Sequence, residues 1–354
     1  MFWSNISSMH VLVTGATGFV GFHAALRLRA EGHRVRALVR SHAKGEGVLG
    51  PLGLGPDDLV EGDMTDERAV ELATRGCDSV IHAAAAVSVT TGQTDFSANL
   101  RGTQVVMGRA LDEGLHAVFI SSVTAIFDPN RPATEDSPLV RGRTHYGRSK
   151  AECDAWVRNR QAEGAAAAIV YPPGVVGPDD PGFSESVKAY RSFLRGTLRS
   201  EGGNQMLDAR DLAALLTRMV EERICGRVVA AGHYFNWDEF TALLEGVTGA
   251  RIPRISAPGW ALRLLGRAMD GASQLTGKPM PMTGEGLEIA TRFPRMQDSP
   301  QVAELNLAWR SAEETVRDLF AWFVSAGRLP ASAVPKLGAP KEPSSPMART
   351  ETSG

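Results

Sequence analysis

The sequence predicts a doubly wound α/β fold, in which helices cover both faces of a parallel sheet. Short apolar runs alternate with helical patterns through the first half of the chain, and a glycine directly follows each of the four helical patterns there. A glycine-rich turn also joins the first apolar run to the first helical pattern. Strands that alternate with helices form parallel sheets, and right-handed crossovers then place helices on both faces.

The individual elements follow from periodicity and from helix end signals. We predict strands at 11–14, 35–39, 59–61, 79–84, 117–121 and 165–171, and helices at 19–31, 66–75, 96–113 and 146–163. Gly32, Gly114 and Gly164 end three of the helices, and Thr65 is the predicted N-cap of the helix at 66–75. After Gly177 helical and irregular segments dominate, which predicts a smaller, mainly helical lobe.

Composition excludes several classes of partner. The chain has 354 residues, 43% of them apolar, and a formal net charge of −2, so no global field favours nucleic acid. The three cysteines, Cys77, Cys153 and Cys225, are far apart, which argues against a disulfide framework or a metal site and favours a reducing, cytoplasmic setting. No apolar run is long enough to predict a membrane span.

The glycine-rich turn predicts a site for a dinucleotide. Gly15 permits a tight turn, Gly18 lets the backbone approach a pyrophosphate, and Gly21 allows the helix to pack closely. The pyrophosphate would lie at the helix N-terminus, where free N–H groups and the helix dipole favour anions. The candidate cofactor-binding residues of this turn are Gly15, Thr17, Gly18, Phe19, Val20 and Gly21.

The spacing of these glycines resembles that found in the extended branch of the short-chain dehydrogenase/reductase superfamily. The resemblance covers roughly 9–211 and, more loosely, 237–327. Within the branch the chain looks most similar to dihydroflavonol reductases, 3β-hydroxysteroid dehydrogenases and epimerase/dehydratase-like proteins. The resemblance implies a Rossmann fold, an NAD(P) cofactor, a small-molecule substrate and a homodimer formed through the helices at 96–113 and 146–163.

Arg40 decides which dinucleotide we expect. An acidic residue at the end of the second strand would bind the ribose 2′-hydroxyl of NAD, but this strand ends in Arg40. An arginine there suits the 2′-phosphate of NADP, with Lys44 as a second cation. NADP is therefore favoured over NAD. The alternative is that Arg40 is a solvated surface residue.

The resemblance implies further cofactor contacts along the same edge. Asp63 and Met64 match a segment that contacts adenine, and Ala83, Ala84 and Ala85 match a segment that lines the adenosine ribose and nicotinamide side. Pro172 and Val175 match the loop beside the nicotinamide. His82 is interpreted as a packed core histidine.

Tyr146 and Lys150 are the predicted chemical centre. Residues four apart lie on one face of a helix, and a nearby ammonium favours the phenolate and lowers the pKa of a tyrosine, ordinarily about 10. Such a pair can protonate or deprotonate a substrate oxygen. The resemblance adds Ser122, with Thr124 as the alternative, to orient that oxygen, and it gives Asn99 and the segment 208–212 structural roles.

Four segments follow from this organisation. Residues 1–8 form an N-terminal extension, with Met9 as the expected natural start, and 9–177 form the dinucleotide-binding domain. Residues 178–330 form a substrate lobe that is partly interlaced with it, since ligands bind outside the carboxyl ends of the strands. Residues 331–354, rich in Pro and Ser, form a disordered tail.

These observations predict an NADP-dependent oxidoreductase for a small, hydrophobic carbonyl or alcohol. The apolar segments 258–265 and 280–282 favour such a substrate. One alternative is a sugar-nucleotide epimerase or dehydratase with bound NAD, for which a set of arginines would hold the diphosphate. The other is a regulator that binds NADP without turnover, a class that usually lacks the Tyr/Lys pair. The arginines of the first alternative are Arg191, Arg195, Arg199 and Arg292.

Overall fold

The computed structural model describes residues 8–86, 96–140, 142, 145–276, 284–293 and 295–338. The strands are β1 (His10–Thr14), β2 (Arg34–Val39), β3 (Leu59–Glu61), β4 (Ser79–His82), β5 (His116–Ile120), β6 (Ala167–Tyr171), β7 (Gly174–Val176), β8 (Thr197–Arg199), β9 (Gly203–Asp208), β10 (Gly226–Val229), β11 (His233–Asn236) and β12 (Arg254–Ser256). The helices are α1 (Phe19–Ala30), α2 (His42–Leu49), α3 (Glu67–Thr74), α4 (Ser97–Asp112), α5 (His145–Ala162), α6 (Glu185–Phe193), α7 (Ala209–Glu221), α8 (Trp237–Thr248), α9 (Gly259–Thr276), α10 (Gly284–Arg292), α11 (Pro300–Glu304) and α12 (Ala312–Ser325).

Seven of the strands form one wholly parallel sheet, in the order β3-β2-β1-β4-β5-β6-β10. From β1 the chain adds β2 and β3 on one side of the sheet. It then crosses back and adds β4, β5, β6 and β10 on the other side of β1. The predicted doubly wound parallel fold is therefore confirmed. The point of reversal lies between β1 and β4, and ligands of such sheets bind outside the carboxyl ends of the strands at this point.

Alternate residues of each strand enter two separate cores. Ile81 and Val118 face a core that includes α1, α7, α8 and α12, while Val80 and Phe119 face a core that includes α3, α4 and α5. Because both faces are covered, the strands are almost continuously apolar rather than alternating. The sheet is thereby held rigidly between two helical layers, which fixes the positions of the loops at its carboxyl edge.

Two small sheets lie outside the main one. β7 pairs in parallel with β9, which pairs antiparallel with β11, and β12 pairs in parallel with β8. The predicted lobe after Gly177 thus contains more strands than expected. β10 also comes from this part of the chain and pairs with β6, so the two predicted domains share one sheet.

Several local predictions were wrong, each for a physical reason. Asp66, rather than Thr65, caps α3: its carboxylate accepts from the amides of Arg68 (2.9 Å) and Ala69 (3.2 Å) and also complements the helix dipole. The helix α2 was missed, although Ser41 accepts from the Lys44 amide as its N-cap. β4 ends at His82 and β6 begins at Ala167, so both strands are shorter than predicted.

The predicted disordered tail begins too early. Val334 is fully buried in the core, and the amide of Lys336 donates to the carbonyl of Thr248, at 3.0 Å. The apolar side chains of Val334 and Leu337 anchor a segment whose composition alone indicated disorder. Residues 1–7 of the predicted extension, 339–354 of the tail and the apolar segment 280–282 lie outside the described residues. Among the described helices, none is long and apolar enough to cross a membrane.

Candidate functional site

The glycine-rich turn packs directly against the neighbouring strand end. Gly15 has a positive φ of 71°, and a Cβ added there would lie 2.7 Å from the amide nitrogen of Ala84. A Cβ at Gly21 would collide with the backbone carbonyl of Gly15. Both positions require glycine because backbone approaches backbone there.

Gly18 faces a different environment, in which only the Gly15 carbonyl oxygen lies near, 3.3 Å from an added Cβ. It is the N-cap of α1, and no side chain caps this helix end. The first amides of a twelve-residue helix therefore lie beside an open backbone surface. That arrangement fits the pyrophosphate of a dinucleotide, with Thr17, Phe19 and Val20 flanking the turn.

The predicted ribose end of this site is exposed and basic. Arg40 and Lys44 are both exposed, and neither forms an ion pair with any described residue. The pKa of the Asp63 carboxyl is lowered, and the main cause is the hydrogen bond from the Thr65 hydroxyl (2.7 Å). Arg40 lies close enough to Asp63 to contribute to this shift. Sequence reasoning missed Glu61, whose carboxylate accepts from the His42 amide at 2.7 Å and so occupies the N-terminus of α2.

The segment after β4 is held by a buried histidine. His82 is hydrogen-bonded through Nδ1 to Thr14 (2.7 Å) and through Nε2 to Thr103 (3.3 Å), and burial lowers its pKa to about 3. The Thr14 hydroxyl accepts from the Ala84 amide at 3.3 Å. The structure therefore agrees with the interpretation of His82 as a core residue, and the histidine fixes the backbone at 83–85.

Met64 packs against α4 as well as adjoining the predicted adenine site. A Cβ at Gly102 of α4 would lie 2.6 Å from the sulfur of Met64, so the thioether packs against this helix. Its side chain is only partly buried. Met64 therefore joins β3 to α4 in addition to any contact with a cofactor.

Ser122 and Tyr146 meet at the carboxyl edge of the sheet. Ser122 follows β5, and its hydroxyl oxygen accepts from the amide (3.2 Å) and the hydroxyl (3.0 Å) of Thr124. Ser122 also lies close enough to Tyr146 to lower the pKa of its phenol. Tyr146 lies in the first turn of α5, where the helix dipole favours negative charge on oxygen. Thr124 thus supports Ser122 instead of replacing it.

The pKa of Tyr146 is shifted upward, which contradicts the direction predicted from sequence. Burial of the phenol is the largest cause and raises the pKa, the nearby hydroxyl of Ser122 lowers it, and the charge of Glu285 raises it. Lys150 does not reverse this shift, because its ammonium donates to the carbonyl of Ile120 at 3.0 Å. Tyr146 is therefore a neutral phenol at neutral pH in this structure.

Lys150 is almost completely enclosed. Its side chain is 6% exposed and its ammonium lies 5.4 Å from the centre of the Phe119 ring. Burial lowers the pKa of Lys150, and the charges of Cys153 and Asp154 oppose that shift. The ammonium is thus fixed at the end of β5, two residues before Ser122.

Asn99 joins three segments of the site without an intervening water. Its side-chain oxygen accepts from the Ala86 amide at 2.7 Å, and its side-chain nitrogen donates to the Ala86 carbonyl at 3.1 Å. The same nitrogen donates to the Ser149 hydroxyl at 2.9 Å. α4 therefore ties the segment after β4 to the helix that carries Tyr146 and Lys150.

A buried carboxylate anchors the same helix one turn further on. Asp154 is fully buried and accepts from the hydroxyl of Ser121 (2.6 Å), the guanidinium of Arg158 (2.7 Å) and the hydroxyl of Tyr171 (3.0 Å). Sequence reasoning missed this network, because its members are separated in the chain and form no motif. It holds α5 against the ends of β5 and β6.

Glu285 was also missed, and it is the described carboxylate that acts on Tyr146. It lies in the first turn of α10, and its Oε1 would be 2.5 Å from a Cβ at Gly147. α10 therefore covers the beginning of α5. No sequence signal distinguishes Glu285, because the contact depends on how the second lobe folds back.

The remaining predicted residues occupy separate places. The carbonyl of Pro172 accepts from the Val123 amide at 3.1 Å, which joins the loop of Pro172 and Val175 to the segment of Ser122. Asp208 caps α7 and binds Arg210, the structural role that the resemblance implied. The described residues contain no cluster of His, Cys, Asp or Glu that could hold a metal ion.

The four arginines considered for a diphosphate do not converge. Arg191 and Arg195 line a cavity of about 650 Å³ together with Arg251 and Arg328, and no residue of the candidate site lines it. Arg199 lies 3.7 Å from a carboxylate oxygen of Asp238, and Arg292 lies 3.6 Å from one of Glu288. Nothing in the described structure thus gathers them around Tyr146.

Comparisons with known proteins find relatives over most of the chain. The family model of the NAD dependent epimerase/dehydratase family matches residues 11–232. Sterol demethylase protein B of Methylococcus capsulatus is 28% identical over 333 residues, which is 91% of this chain and 100% of that protein. A putative dihydroflavonol 4-reductase of Synechocystis is 26% identical over 89% of this chain and 94% of its own length. The crystal structure of gox2253 superposes with a TM-score of 0.76 at 25% identity, covering 91% of this chain and all of that one.

Gly18→Ala and Gly21→Ala should separate cofactor binding from folding. The added methyl at position 18 enters the open backbone surface, so we expect NADP affinity to fall about tenfold, with a smaller loss of stability than at position 21 because alanine is a poorer N-cap than glycine. The methyl at position 21 meets the Gly15 carbonyl, so we expect a loss of about 1–3 kcal/mol in the free energy of unfolding. Calorimetric titration and urea unfolding measure the two effects. Equal destabilisation by both substitutions would contradict the assignment of Gly18.

Proposed function

Because the chain belongs to the NAD dependent epimerase/dehydratase family, we propose that it is an NADP-linked oxidoreductase that interconverts a carbonyl and an alcohol on a small, hydrophobic substrate. The observation that carries the proposal is that Ser122 and Tyr146 lie together at the carboxyl edge of the sheet, with the ammonium of Lys150 held at the end of β5. When bound, the dinucleotide supplies or accepts the hydride. The protein positions the substrate and provides a path for the proton.

Tyr146 is the proposed proton donor. Burial raises the pKa of its phenol, so at neutral pH the group carries the proton that reduction of a carbonyl requires. Ser122 orients the substrate oxygen beside Tyr146, and the ammonium of Lys150 stabilises negative charge that develops on that side. The upward pKa shift supports turnover as a reductase more than as a dehydrogenase at neutral pH.

The preference for NADP rests on Arg40. Its guanidinium is exposed at the end of β2 and forms no ion pair with a described residue, so it is available to a phosphate. Lys44 lies in the first turn of α2, on the same exposed side. Glu61 and Asp63 lie nearby but are bonded to the backbone at His42 and to Thr65, respectively. The pair of cations supports binding of a 2′-phosphate over a bare ribose.

A hydrophobic substrate fits the surroundings of Tyr146 better than a sugar nucleotide. The ring of Phe96 lies 6.2 Å from that of Tyr146, and the carboxylate of Glu285 adjoins it. A carboxylate there opposes a diphosphate, and the candidate arginines lie elsewhere. Relatives named for a sterol and for a dihydroflavonol support the same substrate class. The Ser122–Tyr146 pair argues against a regulator without turnover.

The substitution Tyr146→Phe tests the proposed proton donor. A screen of NADPH oxidation against ketosteroids, dihydroflavonols, aldehydes and sugar nucleotides first identifies a substrate. We then expect Tyr146→Phe to lower kcat about 10²- to 10⁴-fold while NADPH affinity is retained, because only the proton path is removed. Tyr234→Phe is the matched control and should turn over normally. Turnover of Tyr146→Phe at the wild-type rate would refute the role of Tyr146.

The substitution Arg40→Ala tests the cofactor preference. Loss of charge-assisted hydrogen bonds to a 2′-phosphate should weaken NADPH binding by roughly 10- to 100-fold and leave NADH binding nearly unchanged. Arg34→Ala, at the opposite end of β2, should alter neither affinity. Fluorescence titration with the two nucleotides measures both. Equal losses of affinity for NADPH and NADH would show that Arg40 does not bind the 2′-phosphate.

The substitution Glu285→Gln tests the electrostatic coupling across the two lobes. The charge of Glu285 raises the pKa of Tyr146, so its removal should lower that pKa. In alcohol oxidation, where the phenolate is the active form, the midpoint of kcat/KM against pH should therefore move to lower pH. Glu304→Gln, on α11, is the charge-matched control and should leave the midpoint in place. A midpoint that stays or rises in Glu285→Gln would contradict the coupling.

A further inference from the structure

The exposed large apolar side chains are concentrated in one short segment. Among the described residues six such side chains are exposed, and five of them lie between positions 255 and 275. Trp260 is 65% exposed and Leu275 is 90% exposed. We call these five residues the α9 face: Ile255, Trp260, Leu264, Leu265 and Leu275. A cluster of this kind on an otherwise ordinary surface marks a contact with a partner or a membrane.

Helical spacing arranges most of this face as one stripe. Trp260, Leu264 and Leu275 of α9 are separated by four and eleven residues, which places them on the same side of the helix. Ala268 and Gly271 lie between them, and Arg267, seven residues after Trp260, lies at the edge of the stripe. The opposite side packs inward, where a Cβ at Gly266 would lie 2.8 Å from the Cα of Gly284. The apolar stripe is thus the side of α9 that faces solvent.

The segment that carries the face is also basic. Residues 251–276 contain four arginines and one aspartate, a net charge of +3 (4 − 1) in a chain whose total is −2. The carboxylate of Asp270 accepts from the Gly284 amide, and that of Glu201, at the start of α9, accepts from the Gly259 amide. Arg267 is exposed and forms no ion pair with a described residue. Arg254 is paired with the carboxylates of Asp238 and Glu245, so the arginines of the segment without an ion pair to a described residue are Arg251, Arg263 and Arg267.

We propose that the α9 face docks this protein onto the surface of a bilayer that contains anionic lipids. An amphipathic helix with tryptophan and leucine on one side and arginine beside them lies in the membrane interface, with its apolar side among the acyl chains. Tryptophan is enriched at this depth, and arginine can extend to the headgroups. The total charge of the chain, −2, does not reveal the positive charge of residues 251–276.

Charge favours a bilayer over a second copy of the chain. A two-fold interface is formed by the same patch on both subunits, so it would bring the arginines of one α9 segment against those of the other. Like charges at an interface oppose association. Anionic headgroups, in contrast, complement both the arginines and the apolar stripe.

The position of α9 gives the docking a consequence for turnover. α9 packs against α10, whose Glu285 adjoins Gly147 and acts on Tyr146. The docked face is thus one helix away from the candidate site, and a hydrophobic substrate could reach the site from the lipid. The docking itself goes beyond the proposed function, and its test does not depend on turnover.

Vesicle co-sedimentation tests the proposal with the full chain. Vesicles of phosphatidylcholine alone are compared with vesicles in which about a quarter of the lipid is phosphatidylglycerol. We expect binding to the anionic vesicles, and we expect Trp260→Glu with Leu264→Glu to lower the bound fraction about tenfold or more. Leu72→Glu is the control, because Leu72 is the exposed large apolar residue outside the segment. Arg267→Glu should weaken binding only to the anionic vesicles.

Three results would overturn the proposal. One is equal binding by the wild type and the double variant. Another is the absence of binding to either vesicle. The third is self-association without lipid, measured by analytical ultracentrifugation, that the double variant abolishes, since a second copy would then cover the face. Circular dichroism and NADPH affinity of the double variant establish that it is folded, so a folding defect cannot be mistaken for a loss of docking.

Discussion

The candidate site depends on one hydrogen bond, in which the buried ammonium of Lys150 donates to the carbonyl of Ile120. An ammonium enclosed in protein is costly unless it is paired, so this contact fixes α5 against the end of β5. Asp154 repeats the connection one turn later by accepting from Ser121. The next residue along the strand end, Ser122, is thereby brought to Tyr146. The reactive pair is a consequence of how the helix is anchored.

The same anchoring determines the electrostatics of the site. Because α5 is held against the edge of the sheet, Tyr146 is half-buried, and desolvation of its phenol raises the pKa, although Ser122 opposes the shift. Lys150 is directed to the backbone and so does not reverse it. α10 adds the charge of Glu285 from the second lobe, which links proton transfer to the part of the chain that covers the site. A protonated tyrosine and a lysine held at the end of β5 suit the reduction of a carbonyl.

Local spacing predicted the parts of this arrangement that lie close together in sequence. The turn at Gly15 and the pair of Tyr146 and Lys150 are short patterns, and the structure places them at the same edge of one sheet. β10 was missed because its partner, β6, lies more than fifty residues earlier and the strand itself has four residues. Glu285 and the direction of the Tyr146 pKa depend on burial by distant elements, which no local pattern encodes. Sequence therefore predicted the topology of the first half and the placement of Tyr146 and Lys150 on one helix at the edge of the sheet, but not the direction of the Tyr146 pKa shift.

The most direct test of the account is the fate of the transferred hydrogen. NADPH deuterated at C4, in separate preparations for each face, would be incubated with a 3-oxosteroid and with a dihydroflavonol, and the products analysed by mass spectrometry. The account predicts one deuterium on the carbinol carbon of the product from one of the two labelled forms, with oxidised cofactor released. A product without deuterium from both forms, or an epimerised sugar nucleotide made while the cofactor stays bound, would contradict it.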